Sequence, residues 1–167
     1  MKKLIVLIEN NFNEMELLYP YYRLLEDHEV HLVGTLGEKV YSSAAGLKMM
    51  SSLGSGDINP EDYDGIIIPG GFSPDFMRRS EATKNLVRKL DEAGKPIAAI
   101  CHGPWLLASS IDLKGRKVTS FMSIQDDLKH AGADWQDEEV VVDGNLITSR
   151  TPADLPAFMK AFIKVLG

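Results

Sequence analysis

The chain contains a single cysteine, and its setting is that of a nucleophile. Cys101 lies in Ala98-Ala99-Ile100-Cys101-His102-Gly103-Pro104, where an apolar run opening at Pro96 gives way to Trp105-Leu106-Leu107-Ala108. The first half reads as a buried strand and the second as a helix with proline in its first turn. Ala99 and Gly103 flank the cysteine two positions to either side. Such small neighbours permit a sharp turn that leaves the thiol at the carboxyl edge of a sheet. Free backbone N–H groups and the partial positive charge of a helix N-terminus there favour the thiolate, the reactive form of the residue. Cysteine is also among the residues most often buried for packing alone, so it is the corner that points to reactivity.

Three other groups have the chemistry to serve that sulfur. His102 is its sequence neighbour, able to act as its base or to face a different partner at the turn. Gly70-Gly71 follows the apolar run 65–68 and allows backbone N–H groups to approach a ligand closely. With the N–H of His102, that of Gly71 would form an oxyanion hole, although a Gly-Gly pair after a strand is also an ordinary tight turn. Glu16 falls in the first turn of a helix. There it either complements the helix dipole, as Glu14 does equally, or sets a carboxyl beside Cys101 to share its proton. His28, His31 and His130 read as structural or solvated. Neither a Gly-x-Gly-x-x-Gly fingerprint nor a P-loop is present.

The elements that position these groups alternate between strand and helix. Strands are expected at 4–8, 29–34, 65–68, 95–100, 117–120, 139–142 and 146–149, and a hairpin at 39–50 turning near Ala45-Gly46. Helices are expected at 13–26, with Asn13 as N-cap and Met15, Leu18, Tyr22 and Leu25 in helical register, and at 81–93, ended by Gly94. Another covers 123–131, and a last one, capped by Thr151-Pro152-Ala153-Asp154, reaches about Val165. Residues 53–60, rich in Gly and Ser, read as a flexible surface loop. This order gives parallel βαβ units in an open α/β sheet with helices on both faces. Ligands of such sheets bind beyond the carboxyl ends of the strands, where Glu9-Asn10-Asn11, Pro69-Gly70-Gly71 and Cys101-His102 converge.

Composition narrows the class. A chain of 167 residues, 44% hydrophobic and 25% charged, fits one globular domain over 1–167. Its formal charge of −6 argues against a nucleic-acid or membrane-surface binder. One cysteine forms no internal disulfide and no cysteine-rich zinc site. The apolar start is too short for a signal peptide and is broken by Glu9-Asn10-Asn11, so a cytoplasmic location is expected. Nothing in the sequence signals a metal or an organic cofactor.

Five ordered motifs resemble the PfpI family of the ThiJ/PfpI superfamily: Met15-Glu16-Leu17-Leu18-Tyr19-Pro20, Ile67-Ile68-Pro69-Gly70-Gly71, Ala99-Ile100-Cys101-His102-Gly103-Pro104, Val140-Val141-Val142-Asp143-Gly144-Asn145 and Thr148-Ser149-Arg150-Thr151-Pro152. The resemblance spans nearly the whole chain. It implies a three-layer α/β/α sandwich with a mostly parallel central sheet, flavodoxin-like and of the class I glutamine amidotransferase-like fold. It implies Cys101 as nucleophile, His102 as its partner, Glu16 as the acid beside the thiol, and the N–H groups of Gly71 and His102 as oxyanion hole. It also implies that an acid from a neighbouring subunit orients the histidine; Asp75 matches that position, in a homodimer or hexamer with Phe72, Phe76 and Met77 suited to the contact. Asn13, Trp105 and Phe121 depart from the family's usual acid, Gln and Tyr. With Gly70, Asn13 and Trp105 are expected to contact substrate.

The expected activity is therefore cysteine-dependent and cofactor-free. The substrate is either a peptide or amide bond, as in an intracellular protease, or a 2-oxoaldehyde or glycated adduct, as in a glyoxalase or deglycase. A non-enzymatic stress-response chaperone or redox sensor working through Cys101 oxidation is the alternative from another class.

Overall fold

The computed structural model describes all 167 residues, with a mostly parallel seven-stranded sheet at its centre. In chain order the elements are β1 (Lys3–Leu7), α1 (Glu14–Leu25), β2 (Glu29–Gly34), β3 (Val40–Ser42), β4 (Lys48–Met50), β5 (Leu53–Gly54), β6 (Gly65–Ile68), α2 (Ser73–Met77), α3 (Glu81–Glu92), β7 (Ile97–Ile100), α4 (Pro104–Ser110), β8 (Lys117–Val118), α5 (Gln125–His130), β9 (Asp134–Trp135), β10 (Val141–Asp143), β11 (Leu146–Ser149) and α6 (Leu155–Leu166). The sheet runs β10-β11-β7-β6-β1-β2-β5, and only the β10–β11 hairpin is antiparallel. This is the three-layer flavodoxin-like sandwich expected from the sequence.

The central strands are apolar apart from Lys3 at the start of β1, because both of their faces are covered. Leu4 and Val6 point into one cluster with Leu17 and Leu24 of α1 and Phe158, Met159 and Phe162 of α6. Ile5 and Leu7 point into the other, with Leu86, Val87 and Leu90 of α3 and Leu106 and Leu107 of α4. β1, β6 and β7 lie side by side, so their carboxyl ends form one continuous shelf. No helix is long and apolar enough to cross a membrane.

Several local expectations are corrected. Residues 53–60 are not a free loop: Leu53–Gly54 pairs in parallel with Val33–Gly34, and Ser55 is buried with its hydroxyl donated to the Gly34 carbonyl. Its Gly and Ser residues allow close packing, since a Cβ on Gly54 would lie 2.7 Å from Asp57 Oδ2 and 2.9 Å from Gly37 N. The strand expected at 117–120 ends at Val118 and pairs with β9, which the polar Asp134 and Gln136 hide from a hydropathy reading. Asp154 does not cap α6 with its side chain; its carboxylate binds Arg150 instead.

Candidate active site

Cys101 directly follows β7 with φ +63, one of three non-glycine residues in the left-handed region. The chain is held there at both ends: Cys101 N–H donates to Ser149 O at 3.0 Å, and Cys101 O accepts from Phe121 N at 2.8 Å. A side chain at this backbone angle costs about 1–3 kcal/mol, which the surrounding structure must offset. Gly103 completes the corner, since a Cβ there would meet Ile68 O at 2.7 Å.

The neighbouring strand end builds the opposite wall. Gly71 has φ +70, and a Cβ on it would sit 2.3 Å from Asn11 O. Phe72 N donates to Asn11 O at 2.9 Å, pinning the turn against the end of β1. Gly70 leaves no room for a side chain either: a Cβ would lie 2.6 Å from Glu16 Oε1 and 2.8 Å from Cys101 Cβ. The Gly-Gly pair is thus part of the site. The N–H groups of Gly71 and His102 both lie near enough to the sulfur to lower its pKa, and that of Gly71 also lies near enough to the Glu16 carboxyl to lower it. They are the donors an oxyanion beside Cys101 would meet.

Glu16 reaches this wall from the first turn of α1 and is fully buried. Oε1 accepts from Gly70 N at 3.0 Å, whereas Oε2 has no hydrogen-bond partner. Burial pushes the carboxyl up to about 7, against the pull of the Gly70 N–H, the Cys101 thiol and the Gly71 N–H. The thiol itself is pushed up to about 12, by burial first and the Glu16 charge second. The expected lowering by backbone N–H groups is present but outweighed by burial together with the Glu16 charge. Placing the proton on Glu16 removes that opposing charge, so the two groups titrate together around one shared proton.

His102 is engaged on both nitrogens. Nδ1 lies 3.3 Å from Cys101 Sγ, and Nε2 lies 3.3 Å from Ser123 Oγ. Its ring stacks on Phe121 with centroids 5.1 Å apart and meets the edge of Trp105 at 5.0 Å. Burial lowers its pKa, which keeps the imidazole neutral at neutral pH. No cluster of three or more His, Cys, Asp or Glu side chains is placed to hold a metal ion.

The model of the DJ-1/PfpI family matches residues 2–165. The chain belongs to the DJ-1/PfpI family. Among curated DJ-1/PfpI relatives, Deglycase PfpI of Pyrococcus furiosus is 43% identical over 165 residues, covering 98% of this chain and 99% of its own. Protein/nucleic acid deglycase 2 of Escherichia coli is 39% identical over 169 residues, covering 99% and 98%. Among solved structures, a two-domain protein of Anabaena variabilis with DJ-1/ThiJ/PfpI-like and ferritin-like domains superposes with TM-score 0.97 at 38% identity. It covers all of this chain, which spans about half of that one (48%). DJ-1beta of Drosophila melanogaster superposes with TM-score 0.89 at 27% identity, covering 99% and 91%.

The remaining residues singled out by the DJ-1/PfpI resemblance sit as follows. Asp75 lies on α2, a short helix absent from the sequence-based element list, and its carboxylate pairs with Arg79 at 2.5 Å. Within the chain it makes no hydrogen bond to His102. Asn13 caps α1 through Oδ1, which accepts from Glu16 N at 3.2 Å and so fixes the turn that carries Glu16. Trp105 forms a wall beside His102, with its indole N–H donated to Asp127 Oδ2 at 2.8 Å. Ser123 was not singled out from the sequence; an exposed serine beside Met122 carries no pattern of its own, and only the return of the chain after β8 brings it to His102.

Proposed function

We propose that this chain is a cofactor-independent, cysteine-dependent deglycase that releases amines from 2-oxoaldehyde adducts as the free amine and a 2-hydroxy acid. The reading rests on one arrangement: the Cys101 sulfur lies beside a buried carboxyl with a free oxygen and beside the N–H groups of Gly71 and His102. A carboxyl poised near neutral pH can move a proton both ways, as an aldehyde-to-acid conversion requires. The deglycase names of its relatives support the same choice.

The steps balance with water as the only co-reactant. With the shared proton on Glu16, the Cys101 thiolate attacks the carbinol carbon of the adduct, and the C–N bond breaks. The amine leaves with the Glu16 proton, giving a hemithioacetal on sulfur. The Glu16 carboxylate then takes the proton from the former aldehyde carbon and returns it to the adjacent carbon. Meanwhile the hydroxyl proton passes between the two oxygens through His102, and the product is a thioester. Its carbonyl oxygen faces the N–H groups of Gly71 and His102, which stabilise the oxyanion formed when water attacks. His102 Nδ1 takes the water proton and hands it to the departing sulfur. The sum is adduct plus water giving amine plus hydroxy acid, with no external oxidant.

A peptidase would use the same thiol but needs a carboxylate on His102. In the alternative reading Asp75 of a neighbouring subunit supplies it, and that carboxylate would have to leave Arg79 and compete with the Ser123 hydroxyl. The experiment that separates the two incubates the protein with a preformed methylglyoxal–amine adduct and, in parallel, with fluorogenic peptides. Lactate and free amine without peptide cleavage are expected; cleavage without lactate overturns the deglycase reading.

A further inference from the structure

Five aromatic rings stand in a row beside the reacting sulfur. In spatial order they are Phe121, His102, Trp105, Phe72 and Phe76, with successive centroids 5.1, 5.0, 6.1 and 5.7 Å apart. We infer that this row is a subsite for a flat aromatic group carried by the substrate next to the carbon that Cys101 attacks. Within the deglycase reading, on which this assignment of substrate rests, the favoured substrates are adducts of aromatic 2-oxoaldehydes, released as aromatic 2-hydroxy acids.

The row begins at the sulfur. His102 Nδ1 lies 3.3 Å from Cys101 Sγ, and Phe72 directly follows Gly71, whose N–H lies near the same sulfur. Both oxyanion donors thus belong to residues within the row or next to it. A group bonded to Sγ with its oxygen at these donors keeps its substituent within a few bonds of the rings. The other side of the thiol offers no such space. Glu16 is fully buried there, and a Cβ on Gly70 would lie 2.8 Å from Cys101 Cβ.

What the row offers is hydrocarbon rather than hydrogen bonds. The indole N–H of Trp105 is donated to Asp127 Oδ2. Arg78 lies over the Trp105 ring and donates its Nε to Ser109, while Arg79 lies over Phe76 and pairs with Asp75. The phenylalanines have no polar atom to offer. Phe72, between Trp105 and Phe76, is nonetheless 48% exposed. Such a surface holds a ligand through buried apolar area and ring-to-ring geometry. A methyl substituent covers little of it, and an aryl ring covers several times more.

The test uses two alkylating ketones that leave on the sulfur the skeleton of the proposed hemithioacetal. They are 2-bromoacetophenone and bromoacetone, with phenyl and methyl on the ketone carbon. Attack by Cys101 forms the C–S bond and releases bromide. The phenyl-to-methyl ratio of rate constants is measured on the full chain and divided by the same ratio for N-acetylcysteine. This cancels the reagents' own reactivity and any change in the thiol between variants. Wild type is expected about tenfold above N-acetylcysteine, the worth of one good aromatic contact. Phe72→Leu and Trp105→Gln should each lose most of that preference. A wild-type ratio equal to that of N-acetylcysteine overturns the inference, whether the rings ignore the aryl group or a second copy of the chain covers them. A preference that survives in both variants overturns it too. Because no turnover is needed, the two readings fail separately. If phenylglyoxal and methylglyoxal adducts both stay intact while the preference holds, the deglycase reading falls and the subsite stands. Lactate release without any phenyl preference removes the subsite alone.

Discussion

Gly70 donates its N–H to Glu16 Oε1 at 3.0 Å, and a Cβ on Gly70 would lie 2.6 Å from that same oxygen. The glycine holds the carboxyl in place and is the only residue that leaves room for it. Gly70→Ala is therefore expected to displace Glu16 and Cys101 together. Adduct turnover should fall about 100-fold, as displacements of this size do to an aligned site. Steady-state kinetics beside a thermal melt checks this, and turnover within a few fold of wild type would show that the carboxyl need not sit where it does.

The Glu16 carboxyl has the opposite sign from most acid groups in its effect on stability. Its pKa rises on folding from 4.5 to about 7, so the folded state binds the proton more tightly. The stabilisation is complete below 4.5 and is lost as pH rises through about 7. Integrated, that is of order 3 kcal/mol. Denaturant unfolding at pH 4.5 and pH 7.5 should show wild type losing stability across this window relative to Glu16→Gln, which carries no titrating group there.

The Arg150–Asp154 pair runs the other way. Asp154 Oδ2 accepts from Arg150 N and Nε, both at 3.0 Å, and Oδ1 accepts from the guanidinium at 3.1 Å. These bonds hold the Asp154 carboxyl below its ordinary 3.8 although burial raises it. Stability from this group is present above 3.8 and lost as pH falls through the lowered value. Asp154→Ala should cost about 2 kcal/mol at pH 7, with the difference from wild type shrinking below pH 4 in the same unfolding assay.

At Cys101 the left-handed backbone predicts an ordering of two inactive variants. Cys101→Ala keeps a Cβ at φ +63, whereas Cys101→Gly relieves it. The glycine variant should be the more stable by about 1 kcal/mol after its entropy in the unfolded chain is counted. Thermal melts of the two proteins decide it; a more stable alanine variant would mean that the corner is not strained.

Much of this molecule was legible in the sequence because the informative residues are local. The apolar runs at 65–68 and 97–100 are buried on both faces, and the cysteine corner, Gly70-Gly71 and Glu16 all lie at element ends that the runs define. What escaped the sequence depends on tertiary contacts. β5 has two residues and gains its strand character from pairing with β2. Asp154 precedes a helix as a cap would, yet Arg150 takes its carboxylate. Ser123 has no periodicity or motif, and only the stacking of Phe121 on His102 sets its hydroxyl against the ring. The N–H donors alone would lower the thiol, and its burial first, with the Glu16 charge second, reverses the sign.

In the proposed reaction Cys101 and Glu16 together convert an adduct to an amine and a hydroxy acid. The most direct measurement follows lactate release from a preformed methylglyoxal–amine adduct by wild type, Cys101→Ala and Glu16→Gln. Stoichiometric lactate and amine are expected from wild type, and none above background from Cys101→Ala. Glu16→Gln should lose about 10²–10⁴-fold, the usual contribution of a positioned proton carrier. Lactate formation by Cys101→Ala at the wild-type rate would show that the sulfur is not the nucleophile.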